Sequence, residues 1–225
     1  MLSKTLLYAA CVEPLSDPGL YEKVYRLTTP RRREKTDRFR FEKDRRLSLG
    51  AEALLRYALG ENGIEPLPGH FEYSKEGKPF FPGKPVCFNL SHSGEYVLCA
   101  VSGKDVGCDI EQCRPIDLKV AQRFSPEEYE DIAAQADEHA RTELFYRYWV
   151  MKESFMKCTG RGFSLPLDSF RVIPGENARV IQRVSDQVFF FREYDAIPGY
   201  RCALCALDDC RDAELRLVDL SSVLY

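Results

Sequence analysis

Apolar and polar positions along the chain change period several times, and each change predicts an element. The stretch 6–12 is apolar without interruption and predicts a buried first strand. Residues 21–30 and 31–63 carry helical spacing, with Leu47, Leu54, Leu55 and Leu59 on one stripe and a Gly-Glu-Asn-Gly stop at 60–63. Residues 71–111 then alternate between strand-like runs and turns, the latter marked by Gly77 with Pro79, by Pro82 with Gly83, by Gly94 and by Gly103. Helical period returns over 116–132 and 140–158, where Leu144, Phe145, Tyr148, Trp149, Phe155 and Met156 form a buried side. Strand-like pieces at 169–173, 187–195 and 200–207 close the chain. Each half offers helices followed by strands, with a junction at 103–105. The expectation is an α+β protein of two similar halves, 1–103 and 104–225.

Composition narrows the function classes. The 225 residues are 44% hydrophobic with a formal net charge of −3, an ordinary globular balance with no polyanion-binding character as a whole. Charge is uneven, however: residues 22–46 hold eleven Lys or Arg against five acids. That segment reads either as a solvated helix face or as a phosphate-contacting one. Nucleic-acid binding is the weaker reading, because Tyr25, Phe39 and Phe41 follow helix spacing rather than a stacking platform. Nine cysteines, odd in number and set in apolar runs, imply reduced core thiols and a cytoplasmic protein. Cys202, Cys205 and Cys210 lack a partner pair at zinc spacing. The stretch 6–12 is too short for an export signal, and no run reaches the roughly 20 apolar residues of a membrane span.

The candidate chemistry begins at Val-Gly-Cys-Asp-Ile-Glu-Gln, residues 106–112. As a strand it turns Val106, Cys108 and Ile110 to one side and Gly107, Asp109 and Glu111 to the other, so the two carboxylates share a face. They need a cationic partner, a solvated edge or a divalent ion. With carboxylate oxygens as the donors on that face and no His or Cys ligand among them, Mg²⁺ suits them better than Zn²⁺. Glu153 and Lys157 stand one helical turn apart; taken alone they are an exposed pair worth about 0.3 to 0.5 kcal/mol. Ser91 and His92 precede a Gly-containing turn, a common place for ligand contacts, but no Gly-x-Ser-x-Gly elbow marks a serine hydrolase.

Taken in order, "GKP", "FNLSHSGEYV", "VGCDIE", "RFSPEEY" and "YWVMKESFMKCTGRGFSLPLDSF" resemble the 4′-phosphopantetheinyl transferases, specifically the larger, pseudo-dimeric type that activates surfactin synthetase. The resemblance runs from about Pro30 to the final strands. It implies two halves related by a pseudo-twofold axis, with the active site at their interface. The implied reaction moves the phosphopantetheine arm of coenzyme A to a serine of an apo acyl or peptidyl carrier protein and releases adenosine 3′,5′-bisphosphate. By family role, Asp109, Glu111 and Glu153 hold Mg²⁺, and Lys157 serves the α-phosphate. Arg32, Lys35, Arg46, Gly77, Lys78, Pro79, Asn89, Ser91 and His92 contact coenzyme A. The catalytic set is Asp109, Glu153, Lys157 and Glu128, with the general base being Glu153, Glu128 or a water on the metal. A carrier surface is expected over 114–129, with Lys119, Arg123 and Phe124 as contacts, on a monomer that binds neither nucleic acid nor membrane.

Overall fold

The apolar stretch near the start forms strand β1 (Leu6–Cys11) in the computed structural model, which describes residues 2, 4–64, 71–83 and 85–222. Its side chains serve two cores by strict alternation: Leu6, Tyr8 and Ala10 face one, Leu7 and Ala9 another. Three helices follow, α1 (Pro18–Leu27), α2 (Pro30–Asp37) and α3 (Glu42–Gly60). Asp17 and Thr29 cap the first two through their side chains, each with proline at the first helical position. The helical spacing expected across 31–63 is broken at 38–41. There Phe41 adopts an extended backbone, and Arg45 Nε donates to the Phe39 carbonyl at 2.9 Å. The break folds α2 back on α3, where Thr36 Oγ1 donates to Ser48 Oγ across a buried 2.9 Å hydrogen bond. The stripe of Leu47, Leu54, Leu55 and Leu59 is buried as the spacing predicts.

A short hairpin, β2 (Glu72–Tyr73) and β3 (Pro79–Phe80), precedes β4 (Cys87–Ser93), β5 (Tyr96–Ser102) and β6 (Val106–Gln112). A 3₁₀ turn (Leu118–Arg123) then leads into α4 (Pro126–Ala133) and the long α5 (Glu138–Thr159). The helical period over 116–132 is thus divided at Ser125, whose capping box with Glu128 starts a new helix. Strands β7 (Arg171–Ile173), β8 (Arg179–Ile181), β9 (Phe190–Tyr194), β10 (Tyr200–Ala206) and β11 (Leu215–Val218) complete the chain.

The architecture is α+β, and the two halves repeat one topology. In the first, a strand, a long helix and a hairpin give the order β1-β5-β4; in the second the same sequence of elements gives β6-β10-β9, every neighbouring pair antiparallel. Helix α3 packs against the first sheet and α5 against the second, each over its own core. A third core fills the space between the sheets, with Leu98, Ala100, Val106, Cys108, Ile110 and Leu204 among its members. The end of the chain departs from the expected division at 103/104. Strand β11 pairs parallel with β1, and Leu220 joins the first core, so the last residues cover an edge of the N-terminal sheet that would otherwise stay unpaired.

One close approach sets the distance between β6 and α5. A Cβ on Gly107 would overlap the Ser154 carbonyl oxygen and the Cys158 amide, both backbone atoms that cannot step aside. Glycine is therefore required by space rather than by backbone conformation. Substituting Gly107→Ala is expected to lower stability by about 1 to 3 kcal/mol through overpacking, read as a shift of the urea midpoint. An unchanged midpoint would show that the helix can retreat without cost.

Candidate active site

Because Gly107 brings α5 against β6, the polar face of that strand meets the helix side that carries Glu153 and Lys157. Asp109 is 2% exposed, and Lys157 Nζ lies 2.6 Å from its Oδ1. Ser91 Oγ donates to the same oxygen at 2.7 Å and accepts from Lys157 Nζ at 3.0 Å, closing a three-membered cluster. One step along, Ser93 Oγ donates to Glu111 Oε2 at 2.6 Å and accepts from the Gln112 amide at 3.1 Å. Asn89 Oδ1 accepts from the Cys108 amide at 2.8 Å. Alternate residues of β4 therefore seam the N-terminal sheet to the strand that opens the second half. Ser93 was not singled out from sequence, although the period of two from Asn89 and Ser91 points to it.

The acids outnumber the cation, and their titration registers it. Burial, and then Asp109, push Glu153 up to about 7 against the opposing pull of Lys157, with Glu111 adding a lesser push. Glu111 is raised by burial and then by Asp109, with the Ser93 hydrogen bond and Lys157 opposing. Burial alone would lower Lys157, but the charge and hydrogen bond of Asp109 outweigh it and the net shift is upward. Asp109 Oδ2 and Glu153 Oε1 are buried with no hydrogen-bond partner. Among the described residues no group of three or more His, Cys, Asp or Glu is already drawn together as a metal cluster. The two spare carboxylate oxygens nevertheless fit a hard, oxygen-seeking dication, which would also relieve the repulsion that raises Glu153 and Glu111.

Next to this cluster, sharing β4 with it, opens a cavity of about 390 Å³. Arg31, Arg32, Lys35 and His92 line it, together with Gly77 and Pro79 of the β2–β3 hairpin and Asn89. The Arg31 guanidinium stacks on the Tyr73 ring at 3.9 Å. Arg32 Nε is held at 3.2 Å by Glu52, which is 1% exposed and also accepts from the Thr29 amide at 2.6 Å. Lys35 is lowered by burial and then by Arg32. His92, accessible at the cavity mouth yet densely surrounded, is lowered by desolvation and then by Lys157, Lys35 and Arg32. Four positive or protonatable groups gathered round one cavity, with Lys35 and His92 lowered there, make a site suited to an anion. Arg31, Tyr73 and Glu52 went unassigned from sequence. Glu52 carried a signal, an acid within the apolar stripe of α3, whereas Tyr73 gained its role only when the hairpin folded over α2.

Four sequence expectations fall elsewhere. The Lys78 ammonium turns out of the cavity and donates to the carbonyls of Val106 at 2.9 Å and Lys157 at 2.7 Å. Arg46 is not among the lining residues, and its Nε is buried without a hydrogen-bond partner. Glu128 is 0% exposed: it accepts from the Ser125 and Val172 amides and pairs with Lys152 Nζ at 2.7 Å, sealed in the second core away from the acid cluster. Phe124 is 2% exposed, packed on Phe145, Tyr148 and Trp149, and offers no surface to a partner, while Lys119 and Arg123 are exposed.

The acid cluster with its one lysine, at the seam of the two like halves, and the cationic cavity beside it in the first half suit a ligand that carries phosphate. Comparison with known proteins gives the particular family. Residues 105–205 match the family model described as the 4′-phosphopantetheinyl transferase superfamily, and residues 17–104 match the N-terminal model of 4′-phosphopantetheinyl transferases. A 4′-phosphopantetheinyl transferase of Bacillus subtilis is 38% identical over 90% of this chain and 93% of its own. The 4′-phosphopantetheinyl transferase Sfp of Bacillus subtilis strain 168 is 35% identical over 90% and 92%, and psf-1 of Bacillus pumilus is 36% identical over 88% of each. The chain belongs to the 4′-phosphopantetheinyl transferase superfamily, on the branch of the Sfp-like Bacillus enzymes, and the family takes phosphopantetheine from coenzyme A for carrier proteins. No helix among the described residues is long and apolar enough to cross a membrane.

Glu128 offers a clean check on what belongs to the site. Replacing Glu128→Gln leaves the Lys152 ammonium buried without its counter-ion, which is expected to remove about 3 to 5 kcal/mol of stability. The turnover of the folded fraction is expected to stay within about twofold. A thermal melt beside a carrier-modification assay reads both; a large fall in turnover at unchanged stability would return Glu128 to the chemistry.

Proposed function

We propose that this enzyme transfers 4′-phosphopantetheine from coenzyme A to a serine hydroxyl of an apo acyl or peptidyl carrier protein, with Mg²⁺, releasing adenosine 3′,5′-bisphosphate. The observation that carries the reading is the Lys157–Ser91–Asp109 cluster standing beside a cationic cavity on the same strand, β4. Arg32, Lys35 and His92 take the nucleotide phosphates, and Gly77 and Pro79 offer backbone to the base. Lys157 stands where the diphosphate enters, able to stabilise the charge that develops on the departing α-phosphate. Asp109, Glu111 and Glu153 are the residues that would hold the dication, which when bound neutralises the diphosphate and favours its in-line displacement.

In the transfer itself the serine oxygen bonds to the β-phosphorus and the phosphoanhydride bond breaks. The pair of electrons leaves on the α-phosphate oxygen of the adenosine bisphosphate. With Glu128 paired to Lys152, Glu153 is the carboxylate of the site that remains to receive the serine proton, directly or through a water. Lys119 and Arg123, both exposed, present positive charge to an acidic carrier helix. The two like halves pack on one another across the third core within a single chain, which supports a monomer. A reducing cytoplasm suits nine cysteines among which no disulfide forms.

The test is intact-protein mass spectrometry of several apo carriers with coenzyme A and Mg²⁺. Addition of one phosphopantetheine is expected, and Asp109→Ala is expected to abolish it while coenzyme A still binds. Lys35→Ala should raise the KM for coenzyme A about tenfold and erase the preference over 3′-dephospho-coenzyme A. No mass gain on any carrier from a well-folded enzyme would overturn the reading in favour of a coenzyme A binder without turnover.

A further inference from the structure

Lys78 stands between two residues that line the coenzyme cavity, Gly77 and Pro79, yet its own charge is spent elsewhere. The ammonium spans from the N-terminal half to two carbonyls of the C-terminal half, Val106 at the start of β6 and Lys157 in the last turn of α5. The helix ends at Gly160, a left-handed cap whose amide also reaches the Lys157 carbonyl, at 3.3 Å. Terminal carbonyls of a helix want such a cation, and usually the helix's own last turn supplies it. Here the other half of the molecule does.

The two carbonyls matter because both belong to the backbone that carries the charged pair. One is that of the residue whose side chain pairs with Asp109; the other lies three positions before Asp109 itself. One half-buried lysine thus anchors the backbone at both ends of the Lys157–Asp109 pair, next to the contact of Gly107 with Ser154 and Cys158. Without it, the reactive lysine would hang from a fraying helix end.

We propose that Lys78 is a positioning residue for the transfer. It registers α5 on β6 and ties that register to the hairpin that walls the coenzyme cavity, so occupancy of the cavity and placement of the Lys157 ammonium reinforce each other. The proposal rests on the reading of Lys157 as the cation that meets the diphosphate. Coenzyme A resting on Gly77 and Pro79 restrains the hairpin and, through Lys78, the end of α5; linkage makes the effect reciprocal.

A double-mutant cycle tests this. Lys78→Met keeps the apolar stem and removes the charge. It is expected to lower kcat about tenfold or more while the KM for coenzyme A moves less than about threefold. In a Lys157→Ala background, assayed at enzyme concentrations that keep the slow rate readable, the same change is expected to lower kcat no further, since no ammonium remains to be placed. Coenzyme A should also slow amide exchange over the last turn of α5 in the native protein and not in Lys78→Met. Equal falls in both backgrounds, or equal protection in both proteins, would overturn the proposal and leave the role of Lys157 intact. Full activity of Lys157→Ala would instead remove Lys157 from the chemistry, and this inference with it. Should the Met variant not fold, Lys78→Gln, which keeps a hydrogen-bonding amide, runs through the same cycle. Failure of both to fold makes Lys78 a purely structural residue and ends the proposal.

Discussion

The contact on which the site depends is the pressing of α5 onto the polar face of β6. Gly107 permits it, since any side chain there would strike the helix backbone. Everything that handles charge depends on that approach: Asp109 meets Lys157, Ser91 joins them from the other sheet, and Glu153 arrives with its carboxylate facing two others. The apolar side of the same strand fills the core between the sheets, so β6 is fixed from behind while its acids are held in front. A strand buried on both sides can carry charge at such positions only where partners are brought in from other elements.

Those partners are deliberately incomplete. Three carboxylates share one lysine, and two of their buried oxygens have no hydrogen bond; in the neighbouring cavity, arginine, lysine and histidine crowd without a matching number of acids. Glu52 is the exception, and it serves as the brace that holds Arg32 and the start of α2 in place. Charge imbalance of opposite sign in the acid cluster and the adjoining cavity leaves both able to take up a charged ligand. Stability is sacrificed locally to make room for it, while three separate apolar cores hold the frame around it.

Two charged residues show how a side chain can turn away from the place its motif implies. Glu128 sits in a stretch that resembles a catalytic one, yet it starts α4 and neutralises Lys152, linking α4, α5 and β7 in one buried network. Lys78 sits within a cavity-lining turn but directs its ammonium away from it. In both cases the backbone neighbours are where the motif implies and the side chain is not, because a residue's direction is settled by which carbonyl or carboxylate needs it most in the assembled core.

The sequence by itself determined the periods: the strand that opens the chain, the Leu47 to Leu59 stripe, the alternation that sets Asp109 and Glu111 on one face, and the turn of helix between Glu153 and Lys157. These are local, governed by repeats of two and of 3.6 residues, and so they are legible without a partner. It also carried the family's ordered motifs, and through them the chemistry. Only the tertiary structure decided that β11 returns to β1, that Phe124 and Glu128 are sealed inside, that Tyr73 backs Arg31, and that Lys78 clasps the end of α5. Each of these depends on a contact between residues far apart in the chain, and no periodicity records which distant carbonyl, ring or strand edge a side chain will meet.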